Sequence, residues 1–158
     1  MMNIGRLLIV DDNPSICETL SEYFESFGHR VVTAVDGEDA LKKFVPGEFD
    51  CIISDLMMPK MDGLELLKLV KMQDDRVFFV MMTGYPKIDN AIDAIKAGAY
   101  DYVTKPFNME DIRIKVERAI NAKRAEKTLK TKTGLLWGIL LSIPLWLILG
   151  IILGIVWK

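Results

Sequence analysis

The chain has 158 residues, and setting aside an apolar end leaves about 120 to 130, the size of one domain with a single sizeable core. Its net charge of −2 is unevenly spread: residues 1–120 hold 14 Lys and Arg against 21 Asp and Glu, whereas residues 121–158 hold six against one. On charge grounds the acidic part is a poor nucleic-acid binder, and the basic segment fits a membrane surface better.

The N-terminal stretch "MMNIGRLLIV" carries a short apolar run that stops at two aspartates, so no secretory signal is expected. Within it "RLLIV" (6–10) predicts a parallel strand buried on both faces. Asn13 then suits an N-cap and Pro14 the first helical position. Ile16, Leu20, Tyr23, Phe24 and Phe27 follow at helical spacing, and Gly28 closes that helix. His29, the lone histidine, is expected on a surface loop.

The alternation repeats. "RVVTAV" (30–35) predicts a strand, and "DGEDALKKF" (36–44) a helix entered through Asp-Gly. "CIIS" (51–54) predicts a short buried strand and "GLELLKLVKM" (63–72) a helix. "VFFVMM" (77–82) is the fourth strand. "KIDNAIDAIKAG" (87–98) is a helix with Ile88, Ala91, Ile92 and Ile95 on one face, closed by Gly98. "YDYVT" (100–104) is the fifth strand, and a last helix begins near Asn108. Five strands alternating with five helices predict a doubly wound α/β fold with a five-stranded parallel sheet. Cys17 and Cys51 lack zinc or disulfide spacing and are expected as buried free thiols of a reducing cytoplasm.

Right-handed crossovers gather one set of loops at the carboxyl ends of the strands, where chemistry is to be sought. Asp11 and Asp12 end the first strand, Asp55 the third, Thr83 the fourth and Lys105 the fifth. Clustered carboxylates raise one another's pKa unless a cation joins them, and hard oxygen ligands with open positions suit Mg²⁺. With an ion, an amine and a hydroxyl to neutralise phosphoryl oxygens, a carboxylate can attack phosphorus to give an acyl phosphate.

The motifs "VDDN" (10–13), "SDLMMPKMDGLELL" (54–67), "MTGY" (82–85) and "AIKAGAYDYVTKPF" (94–107) resemble the response-regulator receiver domain of two-component signalling, over roughly residues 5–121. "GAYDYVTKPF" is similar to receivers of the nitrogen-regulatory activator type, without an ATPase or DNA-binding domain after it. The resemblance implies a flavodoxin-like fold and a phosphoacceptor signalling domain rather than an enzyme. It implies Asp55 as phosphoacceptor, with Mg²⁺ held by Asp55, directly by Asp12, largely through water by Asp11, and by the backbone carbonyl of Met57. Lys105 would pair with the phosphoryl group, and its bond to Pro106 would be cis. Thr83 would move onto a phosphoryl oxygen and Tyr102 would turn inward with it, a two-state change biased by added charge. Gly84 would leave access to the phosphate open. Met57 and Tyr85, both bulky, would hinder attacking water and lengthen the life of the acyl phosphate.

Singly, each of these residues also fits a plain role as a loop acid, turn hydroxyl or solvated amine; jointly, at successive strand ends, they favour phosphorylation. Two other classes stand beside this reading. Aspartate-nucleophile phosphohydrolases place the nucleophile at the end of strand one with a second Asp two positions on, unlike the adjacent pair here. A receiver-like scaffold would bind partners without phosphorylation.

Residues 135–157 are 23 in a row without charge. As a helix they span about 34 Å, enough for a bilayer core of about 30 Å. Trp137 and Trp157 stand near its two ends, and Pro144 near its middle should kink it. Lys123, Arg124, Lys127, Lys130 and Lys132 precede the stretch and Lys158 alone follows it. The positive-inside rule then puts the first domain in the cytoplasm, on a single-pass protein of the inner membrane. Residues 122–134 read as a basic helical stalk. Gly150 and Gly154 form a GxxxG that suggests a homodimer through the tail.

The expected whole is a membrane-anchored response regulator. A histidine kinase or phosphotransfer protein supplies phosphate to Asp55, and an output protein, not nucleic acid, reads the change near the fourth helix, fifth strand and fifth helix. A relay intermediate or phosphate sink, and a phosphorylation-independent scaffold, are the alternatives.

Overall fold

The computed structural model describes residues 4–84 and 88–125. The chain alternates β1 (Arg6–Val10), α1 (Pro14–Ser26), β2 (Arg30–Ala34), α2 (Gly37–Lys43), β3 (Cys51–Asp55), α3 (Gly63–Gln73), β4 (Phe78–Thr83), α4 (Ile88–Lys96) and β5 (Asp101–Thr104). A fifth helix, α5, is described over 109–125. The strands form one sheet in the order β2-β1-β3-β4-β5, and every neighbouring pair is parallel. The compact unit that carries this sheet ends at Lys123.

The continuous apolar runs are explained by burial on both faces of the sheet. Leu8 and Val10 of β1 pack with Ile52, Phe79 and Met81 on the side covered by α2, α3 and α4. Their neighbours Leu7 and Ile9 pack with Ile53, Val80 and Met82 on the side covered by α1 and α5. This is the two-residue alternation of an extended strand, with helices on both sides requiring apolar residues at every position.

Local signals set the helix ends. The Asn13 side chain accepts from the Ser15 N–H at 3.0 Å ahead of Pro14, and Gly28 closes the turn after α1 at φ 86°. Asp36, Asp62 and Asn108 accept from the N–H of Asp39, Glu65 and Glu110, each at 2.8 Å, at the starts of α2, α3 and α5.

One expectation is corrected. His29 is buried: its Nδ1 accepts the Gly5 N–H at 3.1 Å, and its ring meets Phe24 edge to face. A histidine beside a turn glycine was assigned to solvent, but here an otherwise buried N–H needs the imidazole as acceptor. In α4, Ile92 is 43% and Ile95 50% exposed, while Ala94 is fully buried against the sheet.

Among the described residues no helix is long and apolar enough to cross a membrane. The expected span at 135–157, and the stalk beyond residue 125, lie outside them.

Candidate functional site

Parallel pairing aligns the strand ends. Val10 pairs with Ser54, Asp55 with Met82, and Thr83 with Thr104. Backbone bonds carry the ladder one residue further: Leu56 N–H donates to the Met82 carbonyl at 2.8 Å, and Lys105 N–H to the Thr83 carbonyl at 2.6 Å. Asp11, Asp55, Thr83 and Lys105 therefore stand together at one edge.

Asp11 is fully buried and Asp55 nearly so, and Lys105 bridges them. Its Nζ lies 2.6 Å from Asp11 Oδ2 and 2.5 Å from Asp55 Oδ1. Burial pushes the Asp55 carboxyl up from its ordinary value, and the nearby charge of Asp11 adds to this against the opposing pull of Lys105. For Lys105, burial favours the neutral amine, but the two carboxylates together outweigh it and raise its pKa. The other Asp11 oxygen accepts the Asn13 N–H at 3.0 Å, which fixes that carboxylate against the start of α1.

A tight loop from Leu56 to Asp62 carries the rest of the site. Gly63 N–H closes it on the Leu56 carbonyl at 2.9 Å. Met57 N–H donates to Asp55 Oδ2 at 2.8 Å, so one carboxylate oxygen is held by the loop and the other faces Lys105. The Met57 side chain itself is 59% exposed. Its expected companion Tyr85 lies outside the described residues. Around Gly84 no described atom comes within 4 Å of where a Cβ would stand.

Thr83 is fully buried at the end of β4. The Lys105–Pro106 bond is cis, as the resemblance implied. The Tyr102 ring packs on the α2–α3–α4 side, and its hydroxyl is buried with no hydrogen-bond partner among the described residues. The tyrosine expected to turn inward thus already has its polar tip inside. Both thiols are buried; burial pushes Cys51 up to about 12 and, with the charge of Asp11, raises Cys17 as well. Neither is poised as a nucleophile.

Asp12 is exposed at the rim and does not join the lysine bridge. Among the described residues no three His, Cys, Asp or Glu side chains converge as a metal cage. The donor chemistry nonetheless fits a hard divalent cation. Three carboxylates against one ammonium leave two negative charges for a cation to balance.

One strand-end acid was read from sequence only as the entry to a helix. Asp36, just after β2, is buried and forms an ion pair with Lys60 of the Asp55 loop. A lysine far along the chain gave no local sign of this partnership.

The family model for the response regulator receiver domain matches residues 7–117. The chain is 33% identical over 147 residues to the regulatory protein AtoC of Escherichia coli, covering 90% of this chain and 32% of that protein. It is 35% identical over 126 residues to the nitrogen assimilation regulatory protein NtrX of Azorhizobium caulinodans, covering 78% of this chain and 28% of that one. The chain thus spans about a third of the length of these relatives. A response regulator receiver domain crystal structure from Clostridium thermocellum superposes with a TM-score of 0.74 at 31% identity, over 77% of this chain and 98% of that one.

Proposed function

Because the chain belongs to the response regulator receiver domain family, we propose that it accepts a phosphoryl group on Asp55 from a histidine kinase or phosphotransfer protein and signals to an output protein from the cytoplasmic face of a membrane. The observation that carries the acceptor assignment is the Lys105 ammonium, 2.5 Å from Asp55 Oδ1 and 2.6 Å from Asp11 Oδ2. One oxygen of Asp55 is held by the Met57 N–H, which leaves the other to form the bond to phosphorus as the bond from phosphorus to the donor nitrogen breaks. The donor imidazole keeps that electron pair and takes a proton. Lys105 stays within reach of the new phosphoryl oxygens, and the Thr83 hydroxyl can donate to one of them. Asp11, Asp12, Asp55 and the Met57 carbonyl would hold Mg²⁺, which when bound screens phosphoryl charge from the carboxylates.

Output through a protein contact is favoured by the exposed Ile92 and Ile95 of α4 and by Tyr100 beside β5. The regulatory roles in the relatives' names belong to those longer proteins. In this chain the acidic charge of residues 1–120 speaks against direct nucleic-acid contact. The role is that of a phosphoacceptor, not of an enzyme with its own substrate.

The test is incubation of the full chain with acetyl phosphate and Mg²⁺, read as a phosphate-sensitive shift in gel mobility. We expect stable modification that is lost in Asp55→Ala. Turnover without accumulation would point to a phosphohydrolase, and no reaction to a scaffold.

A further inference from the structure

Asp36 lies at the same sheet edge as Asp11 and Asp55 but outside the lysine bridge. It is 3% exposed and divides its two oxygens between two tasks. Oδ1 accepts the Asp39 N–H at 2.8 Å and caps α2. Oδ2 lies 2.5 Å from Lys60 Nζ. Lys60 is in the loop from Leu56 to Asp62, three residues after Met57, with φ 64°, the one non-glycine at positive φ among the described residues. That left-handed conformation is disfavoured for a lysine and persists only where surroundings hold it.

The rest of the loop is pinned from the same side. A Cβ on Gly37, the first residue of α2, would come within 2.7 Å of Met61 Cγ and 2.9 Å of its carbonyl oxygen, so helix and loop touch at the backbone. At the far end a Cβ on Gly63 would stand 2.2 Å from the Asp55 carbonyl oxygen. The loop is therefore closed on the phosphoacceptor strand at its base and tied to α2 at its tip. Between these points it carries Met57, whose N–H orients Asp55.

We propose that Asp36 and Lys60 form a clamp of positioning residues that holds the Asp55 loop in its left-handed turn, so that Met57 and Asp55 present their oxygens together to Mg²⁺. The carboxylate is buried and fixed by the helix cap, so it acts as the anchor; the lysine, exposed along its stem, is the adjustable partner. The pair touches neither phosphate nor metal and acts through the loop alone. The inference rests on the reading of Asp55 as a Mg²⁺-dependent acceptor.

The test is Mg²⁺ affinity by titration calorimetry on the full 158-residue chain in mild detergent, with melting temperature as a control for folding. Asp36→Asn keeps an oxygen for the α2 cap and removes the charge facing Lys60; Lys60→Met removes the other half. Each is expected to weaken Mg²⁺ binding about three- to tenfold, less than the loss usual when a direct partner of a ligand is removed. The double variant should be no weaker than either single one, and Lys60→Arg should bind like wild type. Unchanged affinity in Lys60→Met, or single effects that multiply in the double variant, would overturn the clamp. A wild type that binds no Mg²⁺ would instead sink the acceptor reading beneath it, and the clamp with it.

Discussion

Lys105 stands between two buried carboxylates, and its single charge cannot satisfy both. Burial holds the Asp55 carboxyl above its ordinary value of about 3.9; Lys105 pulls it back down, and the charge of Asp11 adds a smaller push upward. A carboxyl raised on folding binds its proton more tightly in the native state, so its contribution favours folding at low pH. That contribution is lost as pH rises from about 3.9 through the raised folded value. Asp55→Asn removes the titration while leaving Lys105 its partner Asp11. The variant should therefore be more stable than wild type at pH 7 by about 1 kcal/mol, an ordinary size for one substitution. The gain should shrink as pH falls and vanish below about pH 4, where Asp55 is protonated in both states. Urea denaturation of both proteins from pH 4 to 7 reads this directly, and a gain independent of pH would contradict it. The sequence made these residues visible because each apolar run stops abruptly at a polar one. The apolar run alone treats Asp11 and Asp12 alike, since which of two adjacent acids turns inward depends on the strand's register with β2 and β3.

At the scale of elements, the join between β3 and α3 is the most constrained. Gly63 opens α3, and replacing it by alanine sets two effects against each other. Alanine gains up to about 1 kcal/mol of helix propensity, less at a first position than in the interior. Against this, its Cβ would meet the Asp55 carbonyl oxygen at 2.2 Å and Met81 Sδ at 2.9 Å. The nearer of these is backbone and cannot turn aside, so overpacking of about 1–3 kcal/mol wins. We expect Gly63→Ala to lower the melting temperature by about 5–10 °C and to slow phosphorylation of Asp55, because the same shift moves the acceptor. An unchanged melting temperature would show that the loop yields. The strands were legible to within a residue at each end, since β1, β3 and β4, the central ones, are buried on both faces and read as apolar runs. The orientation of α4 was not: periodicity marks an apolar face, but Ala94 takes the sheet and Ile92 and Ile95 are left outside. An apolar stripe reserved for a partner looks, in sequence, the same as one reserved for the core.

For the whole molecule the open question is what residues 135–157 do to a receiver. They contain fifteen Leu, Ile and Val and no charged residue. At about 0.3–0.6 kcal/mol for each such residue near a helix centre, insertion is favoured by several kcal/mol, while a central arginine costs about 2.5–3.5 kcal/mol. Two arginines in the middle should therefore cancel most of the driving force, and one should not. We expect the full chain to sediment with membranes and to resist washing with high salt, which strips proteins held only by basic residues. Leu145→Arg combined with Leu147→Arg should shift it to the soluble fraction, and Leu145→Arg alone should leave most of it bound. If the charged double variant still accepts phosphate on Asp55 at the wild-type rate from acetyl phosphate but more slowly from a membrane kinase, the span serves to concentrate the receiver near its donor. If the small-molecule reaction slows as well, the span and the switch are coupled. Persistence of the double variant in salt-washed membranes would overturn the expectation that two arginines cancel insertion, and the basic residues before the stretch would not explain it, since salt strips what they alone hold.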